Sequence, residues 1–259
     1  MKRKLYQTMI ELTNGRGTST VLQKIATSPL SRYLIPSYTK LYAINTQEVS
    51  KSLQQFSTLH EFFTRQLKEG ARPIANDARA VVSPVDAKIE SFGDITANHQ
   101  FIVKGKSYRL TDLLGKEVRA KAYENGKYIV FYLSPADYHR MHSPLDASVV
   151  RQYTLGGKSY PVNQAGLTYG KSPLSHNYRM VTQLQHGTMQ CEFIKVGAMF
   201  VNSIALTNRS TQWHKGEEVG YFTFGSTVVM LFQKNDIAFE ASVVQNRMIR
   251  VGEPFATML

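Results

Sequence analysis

Three short clusters of polar residues have the types and spacing that nucleophilic and acid–base chemistry requires. The first is Gly225-Ser226-Thr227, a corner between two apolar runs rich in β-branched and aromatic residues. One interpretation is an ordinary turn, in which glycine supplies a positive φ and the hydroxyls bond back to the backbone. The other is a serine whose hydroxyl attacks the preceding carbonyl, that of Gly225, while a base takes the proton. The corner alone leaves both interpretations open.

The second cluster supplies candidate bases. His139 and His142 are three residues apart, between the apolar run Tyr128–Leu133 and Pro144. Such a pair fits a surface turn, two metal ligands, or proton shuttles that work near neutral pH. Neither a cysteine cluster nor a helical HExxH pattern accompanies the pair, so we expect no metal. A zinc site completed by Asp86 or another histidine stays open as an alternative.

The third cluster is the segment Ser83-Pro-Val-Asp86, which lies between apolar residues. An aspartate in such surroundings is costly unless its charge is paired. Asp86 can cap a turn after Pro84, or it can hold a histidine in the required tautomer as a triad aspartate does.

Two kinds of element must position these clusters. Residues 1–70 have apolar residues at helical spacing, and the clearest helix is predicted over Leu59–Lys68, where Thr58 and Glu61 form a capping box. From about residue 80, runs rich in Val, Ile, Tyr and Phe alternate with turn residues, which predicts strands. The expected fold is α+β, with a helical region at 1–70 and a mostly antiparallel β-domain at 71–259. The predicted strands include Tyr128–Leu133, Ser148–Thr154, Met189–Val196, Val219–Phe224 and Thr227–Phe232.

The charge of the chain indicates an anionic partner. The net charge is +12, and residues 1–40 carry seven basic residues against one acidic residue. Nucleic acid and anionic lipid both fit such a charge, but no nucleic-acid-binding signature is present, so we expect no nucleic acid partner. The N-terminal segment lacks the unbroken apolar run of a signal peptide or a membrane span. Because Cys191 is the single cysteine, a reducing compartment is favoured.

Taken together, the three clusters resemble the phosphatidylserine decarboxylase family. That family carries a Ser-Pro-x-Asp motif, a Tyr-His-Arg-x-His motif and, near the C-terminus, a Gly-Ser-Thr self-cleavage site, in the same order as Ser83–Asp86, Tyr138–His142 and Gly225-Ser226-Thr227 here. The resemblance covers roughly residues 55–232, and its departures, such as Ala87 and Phe224, concern neighbours of the reactive groups and bear on substrate selectivity. Supporting matches are Phe62–Arg65, Tyr160–Asn163, Val196–Ala198, Lys215–Glu218, and Asn177 with Arg179.

The resemblance implies a specific chemistry. His142, oriented by Asp86, would deprotonate Ser226, and the chain would cut itself after Gly225 into a β-chain, 1–225, and an α-chain, 226–259, that remain paired. Ser226 would become a pyruvoyl group, which replaces pyridoxal phosphate and forms a Schiff base with the amine of the serine head group. His139 would donate the proton that replaces carbon dioxide, and the product would be phosphatidylethanolamine.

The resemblance also implies a place for the enzyme. The substrate would be phosphatidylserine in a membrane, and the protein would lie at the cytoplasmic face of the cell membrane as a peripheral protein. Leu34, Ile35, Tyr38 and Tyr42 are candidates for contact with the lipid interface, although the same helices can instead pack on the β-domain. A higher homo-oligomer is left open. The rivals are a metallohydrolase at His139, His142 and Asp86, a basic nucleic-acid-binding module, and a lipid-binding relative without activity.

Overall fold

The computed structural model describes residues 21, 24–162, 164–198, 204–223 and 226–259. Gly225, Phe224 and Asn163, which the sequence analysis names, lie outside the described residues. The α-helices are short: α1 (Ile35–Leu41), α2 (Leu59–Phe63), α3 (Leu110–Leu114), α4 (Glu117–Lys121), α5 (Gln164–Tyr169) and α6 (Pro173–His176). Short 3₁₀ segments cover Pro29–Leu34, Thr46–Glu48 and Leu53–Gln55.

Strands dominate the chain after residue 80, and all of their pairings are antiparallel. They are β1 (Ala80–Val82), β2 (Ala87–Asp94), β3 (Gln100–Val103), β4 (Lys106–Arg109), β5 (Lys127–Leu133), β6 (Arg140–His142), β7 (Ala147–Leu155), β8 (Arg179–His186), β9 (Met189–Gly197), β10 (Ile204–Leu206), β11 (Gln212–Trp213), β12 (Glu218–Phe222), β13 (Ser226–Phe232), β14 (Ile237–Phe239), β15 (Met248–Ile249) and β16 (Pro254–Met258). The predicted α+β class with a mostly antiparallel β-domain is therefore confirmed.

The largest sheet has the strand order β11-β7-β8-β9-β13-β5-β2-β15. Strand β13 lies inside it, paired along its whole length with β9 on one side and β5 on the other. Smaller sheets have the orders β1-β16-β14 and β10-β12-β6, and β3 and β4 form a hairpin. His142 therefore lies at the end of a strand in one sheet, whereas Ser226 begins a strand in another.

Strand β13 is buried on both of its faces. Alternate side chains of a strand point to opposite faces, and here Val228 and Met230 enter one core while Val229 and Leu231 enter the other. A strand covered on both sides needs apolar residues at every position, which explains why this run shows no polar alternation. The predicted strands appear within one or two residues of their expected bounds, except that Phe224 is not described.

The predicted helix Leu59–Lys68 is wrong at its C-terminal end, because α2 stops at Phe63. Its start is as expected, since the Thr58 hydroxyl accepts a hydrogen bond from the N–H of Glu61 at 3.0 Å. Beyond the helix, Leu67 forms a β-bridge with Val49. Tertiary contacts therefore override the local helical preference of this segment.

Short helices at the start of the described chain enclose a small apolar cluster. It contains Ile35, which is 1% exposed, and Tyr38 packs against it. Of the two alternatives for these helices, Ile35 and Tyr38 follow the one in which side chains pack inside the protein: they lie three residues apart on α1 and share its inward face. Leu34 and Tyr42 are exposed at 48% and 37%. Within the part of the chain that the structure describes, none of the helices is both long enough and apolar enough to cross a membrane.

One buried charge has no carboxylate partner among the described residues. Lys195 on β9 is fully buried, and its ammonium donates to the hydroxyl of Thr182 and lies over the rings of Phe193 and Trp213, 4.3 and 5.5 Å from their centroids. Burial lowers the pKa of Lys195 to about 7, because an apolar environment disfavours the charged amine.

We expect Lys195→Met to stabilise the protein at pH 7 and to flatten its pH dependence. The pKa of Lys195 is about 7 in the folded chain and about 10.4 in the unfolded chain. At a pH between these two values the unfolded chain binds more protons than the folded chain. The free energy of unfolding of the parent therefore increases as the pH rises and decreases as the pH is lowered toward 7. Urea unfolding of parent and variant at several pH values measures this. If the free energy of unfolding of Lys195→Met exceeded that of the parent by the same amount as the pH rose to 10, the lowered pKa of Lys195 would be contradicted.

Candidate active site

Ser226 occupies the first position of β13, where the central strand begins. Its backbone pairs with Leu133 on β5 and with Gly197 on β9. The side chain is fully buried, and its hydroxyl has no hydrogen-bond partner among the described residues. A buried hydroxyl without a partner is costly. The serine is therefore fixed in position while its oxygen remains uncommitted.

Two contacts connect His139 to strands near this serine in the chain or in the sheet. Its carbonyl accepts a hydrogen bond from the N–H of Phe222 at 2.9 Å, and Phe222 is the last residue of β12. Its Nε2 lies 3.0 Å from the carbonyl of Ser134, the residue after Leu133. Since a carbonyl can only accept, Nε2 carries the hydrogen and Nδ1 holds a lone pair. Nδ1 is buried without a hydrogen-bond partner in the described part of the chain.

The environment keeps His139 neutral. Burial first, and the positive charge of Arg65 second, lower the pKa of His139 to about 3, against a smaller opposing effect of the Ser134 carbonyl. The ring of Phe63 stacks on the imidazole with centroids 4.0 Å apart. At neutral pH the resting side chain is therefore an acceptor through Nδ1.

The N-terminal segment holds the loop that carries this histidine. Arg65 donates through Nη2 to the carbonyls of Ala136 at 2.8 Å and Asp137 at 3.1 Å. The hydroxyl of Tyr38 donates to the carbonyl of Pro135 at 2.9 Å. Together with the stacked Phe63, these contacts fix residues 134–139 from the side of the helical region. The family-like segment Phe62–Arg65 is thus part of the site.

His142 has both of its ring nitrogens occupied. Nδ1 lies 2.8 Å from the carbonyl oxygen of Gly216, and Nε2 lies 3.2 Å from the hydroxyl of Tyr138. Burial lowers the pKa of His142, while the Gly216 carbonyl, Glu218 and Asp86 act in the opposite direction.

Asp86 is held by an arginine fork. The guanidinium of Arg72 donates from Nε to both carboxylate oxygens, each at 2.9 Å, and from Nη2 to Oδ2. The N–H of Val251 donates to Oδ1 at 2.9 Å, and Glu48 accepts from Nη1 of the same arginine at 2.9 Å. The paired charge explains how the aspartate tolerates burial.

The structure brings the Ser83–Asp86 turn and His142 together through the backbone. The carbonyl of Pro84 accepts a hydrogen bond from the N–H of His142 at 2.8 Å. The two side chains make no hydrogen bond with each other, since Asp86 faces Arg72 and Val251, and His142 faces Gly216 and Tyr138. Neither histidine ring bonds the Ser226 hydroxyl.

A cleft of about 270 Å³ opens beside these residues. Asp86 and Tyr138 line it, as do the exposed Met248 and the backbone around Ala136. Charged residues of both signs make up much of the remaining wall: Glu48, Arg65, Arg72, Asp137 and Arg250. The cleft suits a polar ligand that carries both charges more than an apolar one.

Among the described residues, no three His, Cys, Asp or Glu side chains gather as metal ligands would. Cys191 is buried, and burial raises the pKa of its thiol. A reactive thiolate requires the opposite shift.

Sequence reasoning missed three groups that complete the site. Arg72 forms an ion pair with Asp86. The hydroxyl of Tyr138 forms a hydrogen bond with Nε2 of His142, and the carbonyl of Gly216 fixes the tautomer of the same ring. All three belong to segments whose resemblance to the family was noted or that adjoin such segments. The Arg72–Asp86 and Gly216–His142 contacts join residues 14 and 74 positions apart, which residue spacing along the chain does not reveal, whereas Tyr138 and His142 are four positions apart.

Comparison with known proteins agrees with this arrangement. A family model described as phosphatidylserine decarboxylase matches residues 59–257, which include all three polar clusters. A phosphatidylserine decarboxylase proenzyme of Bacillus thuringiensis (strain Al Hakam) is 52% identical over 259 residues, covering 100% of this chain and 99% of the relative. The protein of the same name from Bacillus mycoides (strain KBAB4) is 52% identical over 257 residues, 99% of this chain and 98% of the relative.

Proposed function

The chain belongs to the phosphatidylserine decarboxylase family, and from this premise we propose that it converts phosphatidylserine to phosphatidylethanolamine with a pyruvoyl group made from its own Ser226. The observation that carries the proposal is the state of this serine. A fully buried hydroxyl without a hydrogen-bond partner among the described residues, at the start of a central strand paired on both sides, suits a nucleophile that attacks the carbonyl before it. The relatives' name, proenzyme, agrees with a precursor that is cut.

Self-cleavage would begin when the Ser226 oxygen attacks the carbonyl carbon of Gly225. The peptide C–N bond breaks and an ester forms, and loss of the Ser226 α-proton then expels the Gly225 carboxylate. Hydrolysis of the resulting dehydroalanine consumes one water and releases one ammonia. The outcome is a β-chain, 1–225, and an α-chain, 226–259, that begins with the pyruvoyl group.

His142 is the proposed base for this step, with Asp86 in a supporting role. In place of a direct hydrogen bond, Asp86 would act through the turn it anchors. Its carboxylate fixes that turn to Arg72 and Val251, and the turn holds the backbone N–H of His142. The negative charge of Asp86 also raises the pKa of His142 against the larger effect of burial, which favours a ring that has taken up a proton.

His139 is the proposed proton donor in decarboxylation. Its Nδ1 is buried without a hydrogen-bond partner among the described residues, and its Nε2 faces the carbonyl of Ser134, which follows the Leu133 that pairs with Ser226. Because burial and Arg65 lower its pKa to about 3, a proton that Nδ1 took up from the ammonium group of the bound substrate would be held weakly and would pass to the carbon that loses carbon dioxide. Phe63 and Arg65 would keep the ring in place during this transfer.

The surroundings of Ser226 fit a pyruvoyl group. The serine hydroxyl is an orphaned polar atom, and the strand that follows is paired on both sides with residues of the β-chain. When present, the group supplies a carbonyl that accepts the electrons released with carbon dioxide, so pyridoxal phosphate is not needed. Strand β13 would keep the two chains associated as a heterodimer.

Ser226→Ala should yield a single full-length, inactive chain, because the attacking oxygen is gone. Intact mass under denaturing conditions measures this. The parent should give two chains, with the 226–259 fragment lighter than simple hydrolysis predicts by one ammonia. Ser148→Ala, which removes a hydroxyl from β7 in the same domain, is the matched control and should be cut like the parent. A cut or active Ser226→Ala protein would refute the pyruvoyl proposal.

The two histidines should separate into two phenotypes. His142→Ala should slow self-cleavage by about 10²- to 10⁴-fold, the usual contribution of a general base. His139→Ala should be cut but should decarboxylate slower by a similar factor. Gel-resolved processing and release of labelled carbon dioxide measure the two steps, with the exposed His214→Ala as control. Normal processing of His142→Ala, or full turnover by His139→Ala, would remove that residue from its role.

We also propose that the N-terminal helices contact the membrane as a peripheral anchor at the cytoplasmic face. Leu30, Tyr33 and Leu41 are exposed at 75%, 67% and 75%, with Lys24, Arg32 and Lys40 along the same segment. Apolar side chains that enter the interface and basic residues that face anionic lipid head groups would act together.

The double substitution L30S/L41S should weaken binding to phosphatidylserine-containing vesicles by about tenfold or more, since burial of a leucine contributes about 1.5–3 kcal/mol. Vesicle sedimentation at several salt concentrations measures the effect. The control I102S/V244S changes two side chains of the β-domain that are exposed at 55% and 53%, and it should bind like the parent. Equal binding by L30S/L41S and the parent would contradict the anchor.

A further inference from the structure

The ring of His142 can exchange protons through one nitrogen. Nδ1 lies 2.8 Å from the Gly216 carbonyl, which can only accept, so Nδ1 carries the hydrogen of the neutral ring. The lone pair is then on Nε2. Any proton that the neutral ring takes up must arrive there.

The hydroxyl of Tyr138 occupies that position. It lies 3.2 Å from Nε2, and because Nε2 holds the lone pair, the phenol is the donor. Tyr138 is 6% exposed, yet it lines the cleft of about 270 Å³ together with Asp86. Tyr138 therefore borders the cleft and contacts the imidazole.

We propose that Tyr138 is a positioning residue that relays protons between the cleft and Nε2 of His142. The phenol oxygen takes a proton from a hydroxyl or ammonium group that reaches it from the cleft, which leaves that group deprotonated, while its own proton passes to Nε2 and gives an imidazolium. The phenol is neutral before and after, and the reverse transfer returns the proton. The reaction that uses this proton rests on the proposed function, whereas the link between the two side chains does not.

The charges around the pair favour a concerted transfer. Burial, and then Glu218, raise the pKa of Tyr138, so a free phenolate does not form near neutral pH. The groups that act on His142 are the Gly216 carbonyl, Glu218, Asp86 and Arg140, the last of which lowers its pKa. A proton can leave the phenol only as another arrives.

The link is tested first without catalysis. In uncut S226A protein, the ¹⁵N resonance of His142 Nε2 should change when Tyr138→Phe removes the hydroxyl. Tyr108→Phe is the matched control, because Tyr108 is 1% exposed and its hydroxyl has no hydrogen-bond partner among the described residues. An unchanged Nε2 resonance in Tyr138→Phe would overturn the proposal.

The relay is then tested by rates. Tyr138→Phe should slow the step that depends on His142 by at least about 10²-fold, and Tyr108→Phe should keep the parent rate. The double variant Y138F/H142A should be no slower than H142A, because residues that act as one unit are not additive. A parent-like rate of Tyr138→Phe, or a double variant slowed by the full product of both factors, would overturn the relay.

Two further outcomes separate this proposal from the proposed function. Cleavage of the S226A chain would refute the pyruvoyl proposal and leave the resonance of His142 as the test of the link. If Tyr138→Phe did not fold, 3-fluorotyrosine at position 138 would keep the hydroxyl and make it more acidic. The pH profile of the His142-dependent step should then shift, and an unshifted profile would count against the relay.

Discussion

The double burial of β13 is the constraint on which the rest of the structure depends. Pairing with β5 and β9 along its whole length leaves Ser226 no freedom to rotate away from the end of the sheet. Cores on both faces exclude water from the strand, and interactions among polar groups strengthen where water is absent. The position of every other residue in the site can be described relative to this strand.

The polar residues around β13 differ in how many of their hydrogen-bonding atoms have partners. Asp86 is fully engaged by Arg72 and Val251, and His142 has a partner on each nitrogen. His139 has one open nitrogen, and Ser226 has an open hydroxyl. Buried groups normally find partners, but the buried atoms without a hydrogen-bond partner among the described residues also include Oγ1 of Thr227 and Nε and Nη1 of Arg65. Two of the atoms in this set, the Ser226 hydroxyl and Nδ1 of His139, belong to groups to which the proposal assigns chemistry.

Much of this could be predicted from the sequence, for identifiable reasons. The strands were predictable because β-branched and aromatic runs between turn residues have few alternatives. The residues of the candidate site follow from three motifs that occur together in one order, and their catalytic roles stay a prediction. The end of α2 was not predictable, since Leu67 pairs with Val49. The contacts of Asp86 with Arg72 and Val251 and of His142 with Gly216 were not, since these partners lie 14, 165 and 74 residues away along the chain. The inward face of Ile35 and Tyr38 likewise depends on packing against Phe56 and Phe62.

The position of β13 also affects how the protein folds before the proposed cleavage and how it refolds afterwards. In the uncut precursor, the strand reaches its place between β5 and β9 as part of one chain, and the order of folding is intramolecular. Once the bond before Ser226 is cut, the same strand belongs to a separate molecule, and its return after unfolding becomes a bimolecular event that depends on concentration. The native state of the mature enzyme would then form in the precursor, before cleavage. After unfolding, the two separate chains would regain this state less readily as they are diluted.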